Sequence, residues 1–403
     1  MQVSPFASAE QRRAALAYKG DSVPAHCCVT GGTGFVGQRL VEMLLERGAK
    51  RVVSFDIVPP PKAHWEHPNV EYVIGDICDV EALERAFKGA DCVWHNAAAV
   101  GPFHPHELYD KVNRQGTLNV IEVCRKLGIP KIVMSSSPST RFDGSDINGL
   151  SEAEMPKLPM ATYLQAYAQS KAEGEMALTA ACCDELMTVA VAPHQVYGPR
   201  DNLFVPNMLE AAGKNLLRVF SSARTGYGQN RVCFTYVDNY AHGLIIAEKA
   251  LYKGSPALGK FYVVTDGSTH PHPEGYALFW PTMDKMITSI GFTSIYTRWK
   301  LSTWFLYPVA YVCNVVGWLM GTKLKLNPFN VRVLTMHRWF NISAAERDLK
   351  YQPIIPFEAG MIDTTEWFKV NWLPGFSTSG RSVGIAQQSE AKINVQAAGT
   401  DRK

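Results

Sequence analysis

The sequence predicts an α/β protein built on a doubly wound parallel sheet, with a smaller C-terminal lobe. Three observations predict it. A glycine triplet follows a short apolar run, an acid ends the next apolar run, and strand-like runs alternate with amphipathic helical stretches as far as residue 266.

The glycines come first. Cys27-Cys28-Val29-Thr30 runs into Gly31, Gly34 and Gly37, and a helical pattern then continues through Leu40, Val41, Leu44 and Leu45 to Gly48. Strand, glycine-rich turn and helix in this order suit a pyrophosphate. Gly31 allows the tight turn, Gly34 lets backbone approach the anion, and Gly37 lets the helix pack on the strand. The helix start at Phe35 and Val36 presents free N–H groups and a positive dipole end. Arg51 to Asp56 reads as the second strand. Its terminal Asp56 stands where a carboxylate accepts from an adenosine ribose diol and repels a 2′-phosphate. The expected cofactor is therefore NAD, with NADP the alternative.

The rhythm continues. Val70 to Ile74 is a third strand, followed by Asp76 and Ile77 and a helix from Val80 to Phe87. Asp76 either accepts from an adenine amino group or starts that helix. Asp91 to His95 is the next strand, and His95 reads as a packed strand-end residue. The small side chains of Ala97 and Ala98 leave room for a cofactor over the strand ends. Val112 to Thr117 opens another helix, and Lys131 to Met134 is a strand ending in Ser135-Ser136-Ser137. Ligands in such sheets bind beyond the carboxyl ends of the strands, so the serines fall where chemistry is expected. Tyr167 and Lys171, four residues apart in a helical stretch, share one helix face. A free tyrosine, with a pKa of about 10, is a poor base at neutral pH, and a nearby ammonium lowers that value. Thr188 to Ala192 forms a further strand that Pro193 ends at the nicotinamide side. Phe234 to Asn239 precedes a helix from Tyr240 to Ala250, and Lys260 to Val264 is the last strand.

Outside the sheet the expectations are coarser. The net charge of +3 over 403 residues argues against nucleic acid. Nine cysteines without a C-x-x-C read as free thiols of a reducing compartment, and no metal-ligating set stands out. Residues 1–24 read as a loosely ordered extension, 25–266 as the dinucleotide-binding domain, and 267–372 as a substrate lobe to which 200–230 contribute. Residues 373–403 read as a disordered tail. Trp304 to Met320 carries no charge, contains Pro308 and Asn314, and is flanked by aromatic residues with Lys323 and Lys325 beyond. A buried helix, a short span and a segment dipping into one leaflet are the three readings, and the third is preferred.

These residues together resemble the extended short-chain dehydrogenase/reductases and, within them, the 3β-hydroxysteroid dehydrogenase family. The resemblance runs from about Ala25 to Trp372. It rests on Thr30 to Gly37, Asp76, Val112 to Thr117, the three serines, Tyr167 with Lys171, Gly198-Pro199-Arg200 and Phe234 to Asn239. Phe142 to Ile147, Ala344 to Leu349, Tyr351-Gln352-Pro353 and Thr364 to Phe368 resemble the branch that oxidises and decarboxylates 4α-carboxysterols. The resemblance implies that Ser137, with Ser136 the other choice of register, holds the sterol hydroxyl. It further implies that Tyr167 takes the proton and that Lys171 lowers the tyrosine pKa and holds the nicotinamide ribose. Ile77, Asn113 and Pro193 are implied as further cofactor contacts. It also implies an endoplasmic-reticulum membrane or lipid-droplet surface, a cytosolic catalytic lobe, a homodimer and other C4-demethylation enzymes as partners. Arg200 and Arg231 are the candidates for holding a substrate carboxylate. Pro138, Arg231 and the His-Pro-rich stretch 267–279 depart from the family pattern on the substrate side. The alternatives are the same machinery on a plain 3β-hydroxysteroid or a nucleotide sugar, and a non-catalytic dinucleotide-binding scaffold.

Overall fold

The structure, a computed structural model, describes residues 2–20, 22–101, 104–223, 225–320, 324 and 326–379. Seven parallel strands form its central sheet: β1 His26–Thr30, β2 Arg51–Asp56, β3 Val70–Ile74, β4 Cys92–His95, β5 Lys131–Ser135, β6 Met187–Pro193 and β7 Phe261–Val264. Their spatial order is β3-β2-β1-β4-β5-β6-β7, so the order reverses between β1 and β4, and a ligand crevice opens at such a switch point. The helices between them are α1 Phe35–Glu46, α2 Val80–Phe87, α3 Gly116–Leu127, α4 Ala166–Ala181 and α5 Val237–Lys249.

Local chemistry sets these bounds. Gly34 is the N-cap of α1 in extended conformation. The Asp79 side chain accepts from the Ala82 N–H to cap α2. Gly128 ends α3 at φ +67°. Both faces of the sheet are covered, so β4 is buried along its whole length and β1 and β2 along all but their first residues.

The second lobe is not one stretch of chain. Its four-stranded sheet runs Ala277–Leu278, Arg231–Val232, Arg338–Phe340 and Ile147–Leu150, and so takes two strands from inside the expected dinucleotide domain. Around it pack α6 Phe279–Ile290, α7 Thr303–Leu319 and α8 Phe357–Asn371.

Two expectations change, and a third is narrowed. The N-terminal extension is ordered: Ala9–Ala17 is a helix with a Ser8/Gln11 capping box. Ser4 N–H donates to Glu46 Oε1 (3.1 Å) and Gln11 Nε2 to Asp238 Oδ1 (2.7 Å), which ties the segment to α1 and α5. At the other end Leu373–Ser379 is helical, with Phe376 stacked on Trp372, and the rest of the expected tail lies outside the described residues. The apolar segment is a single helix, α7, and among the described residues no helix is long and apolar enough to cross a membrane. Nor is it a buried helix. Leu306 and Ala310 pack against Val331, while Trp304, Tyr311, Val315 and Trp318 lie open. Lys323 and Lys325 fall outside the described residues. All nine cysteines are free thiols, five of them buried, and only Cys183 is fully open.

Candidate active site

A cleft of about 460 Å³ runs over the carboxyl ends of the strands, from the glycine turn to the α4 helix. At its first end Gly31 has φ +70°, and a Cβ there would meet Ala97 backbone at 2.8 Å. The turn therefore lies against the strand-end loop with no space for a side chain. Gly34, Phe35 and Val36 line the cleft beside it. Gly37 does not. It lies beneath the turn, where a Cβ would sit 2.0 Å from the Gly31 carbonyl oxygen, so its part is close packing of α1 on β1.

Asp56 ends β2 at the cleft wall. Its Oδ2 accepts from the Thr33 N–H (3.1 Å) and its Oδ1 from the Val58 N–H (3.2 Å), which hold the carboxylate in place and leave lone pairs for a ribose diol. Asp76 and Ile77 line the next stretch, with the Asp76 carboxylate accepting from the Cys78 N–H at 2.9 Å. Ala97 and Ala98 form the floor. Asn113 was expected among the cofactor contacts, but its carboxamide is spent elsewhere. Its Oδ1 accepts from the Ala99 N–H (2.8 Å), and its Nδ2 donates to the Ala99 carbonyl (3.1 Å) and to Ser170 Oγ (3.0 Å). Asn113 is buried behind the cleft and clamps the strand-end loop to α4. His95 is a packed residue as expected: it lies between Thr30 Oγ1 and Thr117 Oγ1, and burial holds its pKa down at about 3.

At the far end Ser135, Ser136, Ser137, Tyr167, Lys171 and Pro193 converge on the cleft. The two serine registers separate here. Ser136 Oγ donates to the buried Glu175 Oε2 at 2.6 Å, whereas Ser137 Oγ lies 2.8 Å from Ser139 Oγ and close enough to Tyr167 to favour its phenolate. Lys171 Nζ donates to the Ser135 carbonyl at 2.7 Å. Burial pushes the Tyr167 phenol up to about 12 and outweighs the Ser137 hydroxyl, which acts to lower it. Burial also pulls Lys171 down to about 8, against the opposing pull of Glu175. The tyrosine pKa is thus high in the cofactor-free protein, because loss of water around a phenolate costs more than one hydroxyl contact returns.

The two arginine candidates do not enter the cleft. Arg200, at φ +69°, forms a two-pronged pair with Glu42 of α1, Nη1 to Oε1 at 2.7 Å and Nη2 to Oε2 at 2.9 Å. Arg231 lies on the lobe sheet with its guanidinium 5.0 Å over the Tyr276 ring. The cleft also has walls that the sequence did not single out: Gln195, Asn202, Leu203, Phe204 and Tyr240. Gln195, at φ +46°, carries no spacing that would mark it. Glu175 could have been found, since it follows Lys171 by the same four residues that separate Lys171 from Tyr167.

A seven-stranded parallel sheet in this order, with a glycine turn at its switch point and Ser, Tyr and Lys at the strand ends beyond it, is the fold of an extended short-chain dehydrogenase/reductase. The family model of the 3-beta hydroxysteroid dehydrogenase/isomerase family matches residues 28–288, and the chain belongs to that family of oxidoreductases. It is 30% identical to the mouse sterol-4-alpha-carboxylate 3-dehydrogenase, decarboxylating, across 85% of this chain and 90% of the mouse protein. It is 31% identical to a 2-alkyl-3-oxoalkanoate reductase of Stenotrophomonas maltophilia, across 83% of this chain and 96% of that one. Among solved structures, a dTDP-glucose 4,6-dehydratase from Streptomyces venezuelae with NAD bound superposes with a TM-score of 0.62 at 19% identity, across 86% of this chain and 99% of that one.

Proposed function

We propose that the enzyme oxidises the 3β-hydroxyl of a 4α-carboxysterol with NAD. The convergence of Ser137, Tyr167 and Lys171 at one end of a cleft whose other end is the Gly31–Val36 turn carries the reading. Similarity to the mouse decarboxylating dehydrogenase supports the substrate class.

The cleft fits a dinucleotide. Gly31, Gly34 and the start of α1 would hold the pyrophosphate, Asp56 the adenosine ribose, Asp76 and Ile77 the adenine, and Lys171 and Pro193 the nicotinamide end. When bound, NAD supplies a hydride acceptor and a positive ring. Ser137, beside Tyr167 at the cleft end, would hold the sterol hydroxyl by its Oγ. Tyr167 takes the hydroxyl proton, and the neighbouring cation of Lys171 favours its phenolate. The C3 oxygen becomes a ketone beside the carboxylate. The resulting β-keto acid breaks its C4–carboxyl bond, releases carbon dioxide and leaves the electron pair in an enolate that is reprotonated at C4. The protein need add no further catalytic group for that step.

The open face of α7 supports a membrane surface as partner, with the helix lying in one leaflet. We place the enzyme on the cytosolic side of the endoplasmic reticulum, a site that suits its free thiols. The reductase similarity favours one second reading: reduction of an acyclic 3-oxo acid by the same groups acting in reverse.

The test is to supply NAD and a 4α-carboxy-3β-hydroxysterol, and to follow NADH by absorbance and the sterol by mass. NADH together with a 3-ketosterol lacking the carboxyl group is the expected result. Turnover only of a 2-alkyl-3-oxoalkanoate, offered with NADH or NADPH as hydride donor, would move the substrate to the second reading, and turnover of neither would defeat both.

A further inference from the structure

The substrates named for both relatives carry a carboxylate on the carbon next to the one that bears the reacting oxygen. Among the described residues, Lys171 is the one cation that lines the cleft, and it is committed to the Ser135 carbonyl. Arg200 is committed to Glu42. The substrate anion therefore needs another partner, and the structure contains a half-buried guanidinium whose Nε is buried and without one.

Arg338 lies on the lobe sheet, between Val232 and Ile147 in register. Arg39 bonds Glu42, Glu46 and Asp238, Arg141 bonds Glu175, and Arg47, which holds no acid, is taken up by His242 Nδ1 and the Tyr18 ring. Arg338 pairs with no carboxylate among the described residues, and its Nε is buried without a hydrogen-bond partner. Burial pulls its pKa down to about 10, and the only opposing influence is the Cys233 thiol. A charge partly withdrawn from water without a counterion is costly, and an anionic ligand offsets that cost.

Neither Arg338 nor His194 lines the cleft itself, but both lie next to elements that form its substrate-side wall. His194 is the residue after the cleft-lining Pro193. Its Nδ1 lies 2.8 Å from the Cys233 carbonyl and 3.4 Å from Cys233 Sγ, and its ring is 5.3 Å from Phe340, two residues past Arg338. The Arg338 charge is close enough to bear on the His194 ring, and His194 Nε2 is also buried without a partner. Phe204, a cleft wall, packs 6.3 Å from Phe234, the neighbour of Cys233. Two unpartnered nitrogens thus stand where the end of β6 meets the lobe sheet, one residue beyond the nicotinamide side of the cleft.

We propose that Arg338, beside His194, is the substrate-carboxylate contact and the residue that sets the preference for carboxylated over plain 3-hydroxy substrates. The inference rests on the proposed dehydrogenase reading and adds to it the group that reads the acid.

The test compares wild type, Arg338→Met, Arg338→Gln and Arg231→Met on three substrates: a 4α-carboxy-3β-hydroxysterol and the same sterol without the carboxyl, each with NAD, and a 2-alkyl-3-oxoalkanoate with NADH or NADPH. Both Arg338 variants should raise KM for whichever carboxylate is turned over by about tenfold or more, and leave kcat/KM for the plain sterol within about twofold. Arg231→Met should leave both unchanged. Thermal unfolding should show both Arg338 variants at least as stable as wild type, since the charge has no partner to lose. An unchanged KM for the carboxylate in both Arg338 variants, or a rise confined to Arg231→Met, overturns the assignment while the dehydrogenase reading stands. A wild type that turns over the plain sterol as well as the carboxylated one overturns the carboxylate reading itself, and with it the role of Arg338.

Discussion

The Ser136 hydroxyl donates to Glu175 Oε2 at 2.6 Å, and Arg141 holds the other oxygen of the same carboxylate. Glu175 is thereby fixed one helical turn past Lys171, on the face that leads to Tyr167. Burial lowers Lys171 from its ordinary 10.5 to about 8, and Glu175 is the charge that opposes the fall. The Lys171 ammonium is therefore present below about pH 8 and lost above it, and the enzyme should show an alkaline limb there. In Glu175→Gln the opposing charge is gone, Lys171 gives up its proton at lower pH, and the alkaline limb of kcat should move down. A pH–rate profile decides it. A limb that stays in place while kcat falls uniformly would leave Glu175 a packing role only.

Gly34 and Gly37 should separate binding from folding. An added Cβ at Gly34 meets one atom, the Gly31 carbonyl oxygen at 3.3 Å, and otherwise points into the cleft. At Gly37 it would collide with three backbone atoms at 2.0–2.8 Å. Gly34→Ala is expected to fold with near wild-type Tm and to weaken NAD binding by about tenfold or more. Gly37→Ala is expected to cost about 3 kcal/mol or more in stability, of the order seen for overpacking against backbone that has little room to move. Calorimetric titration with NAD and a thermal melt on each variant check the pair. Equal melting temperatures would contradict the packing argument.

Most of the central sheet was legible because its runs are bounded by strong punctuation. The strands Arg51–Asp56 and Val70–Ile74 and the helix Val80–Phe87 have the bounds read from sequence. Each apolar run there is closed by an acid, a glycine or a helix cap. The lobe sheet was not legible, since strands of two residues such as Arg231–Val232 and Ala277–Leu278 have no period to detect. Their partner at Ile147–Leu150 is also distant in sequence. The cleft residues found in sequence are those fixed by local turns, such as Gly31, Asp56 and Ala97. Those misread depend on distant partners. Asn113 looks polar and available until Ala99 and Ser170 occupy it, and Arg200 looks like a free cation until Glu42, 158 residues earlier, takes both its prongs. The N-terminal segment carries only short apolar pieces, and it is tied down by polar bonds to Glu46 and Asp238 that no periodicity announces.

Arg200 is expected to matter for stability and little for the substrate. Glu42 is almost fully buried between Arg200 and Arg39, and these cations hold its carboxyl below the usual value against the opposing effect of burial. Removing one partner of a buried pair leaves an uncompensated charge, at a cost of about 3–5 kcal/mol. Arg39 remains beside Glu42 in Arg200→Met, so a loss toward the lower end of that range is expected. Chemical denaturation measures it. A loss below about 0.5 kcal/mol, in the range of an exposed pair, would mean that the pair is solvated in solution.

The open face of α7 leads to the last prediction. Trp304, Tyr311 and Trp318 recur at seven-residue spacing and so project from one side of the helix, and Val315 lies on the same side. Trp304 and Trp318 are 79% and 78% exposed, and Trp299, just before the helix, is 79% exposed. Open indoles in one row across two ends of an uncharged helix are costly in water and suit the headgroup boundary of a bilayer. The opposite side is already used, with Leu306 and Ala310 packed against Val331, so the helix can lie on a membrane without leaving the lobe. The expected outcome is that the protein co-sediments with phosphatidylcholine vesicles and that Trp304→Ser/Trp318→Ser lowers the vesicle-bound fraction at least severalfold. The double variant should keep the wild-type Tm, because neither ring is buried, and should keep its turnover of a detergent-dispersed sterol. A variant that binds vesicles as well as wild type would show that another surface makes the contact. One that loses turnover in detergent would instead place the two indoles on the path of the substrate.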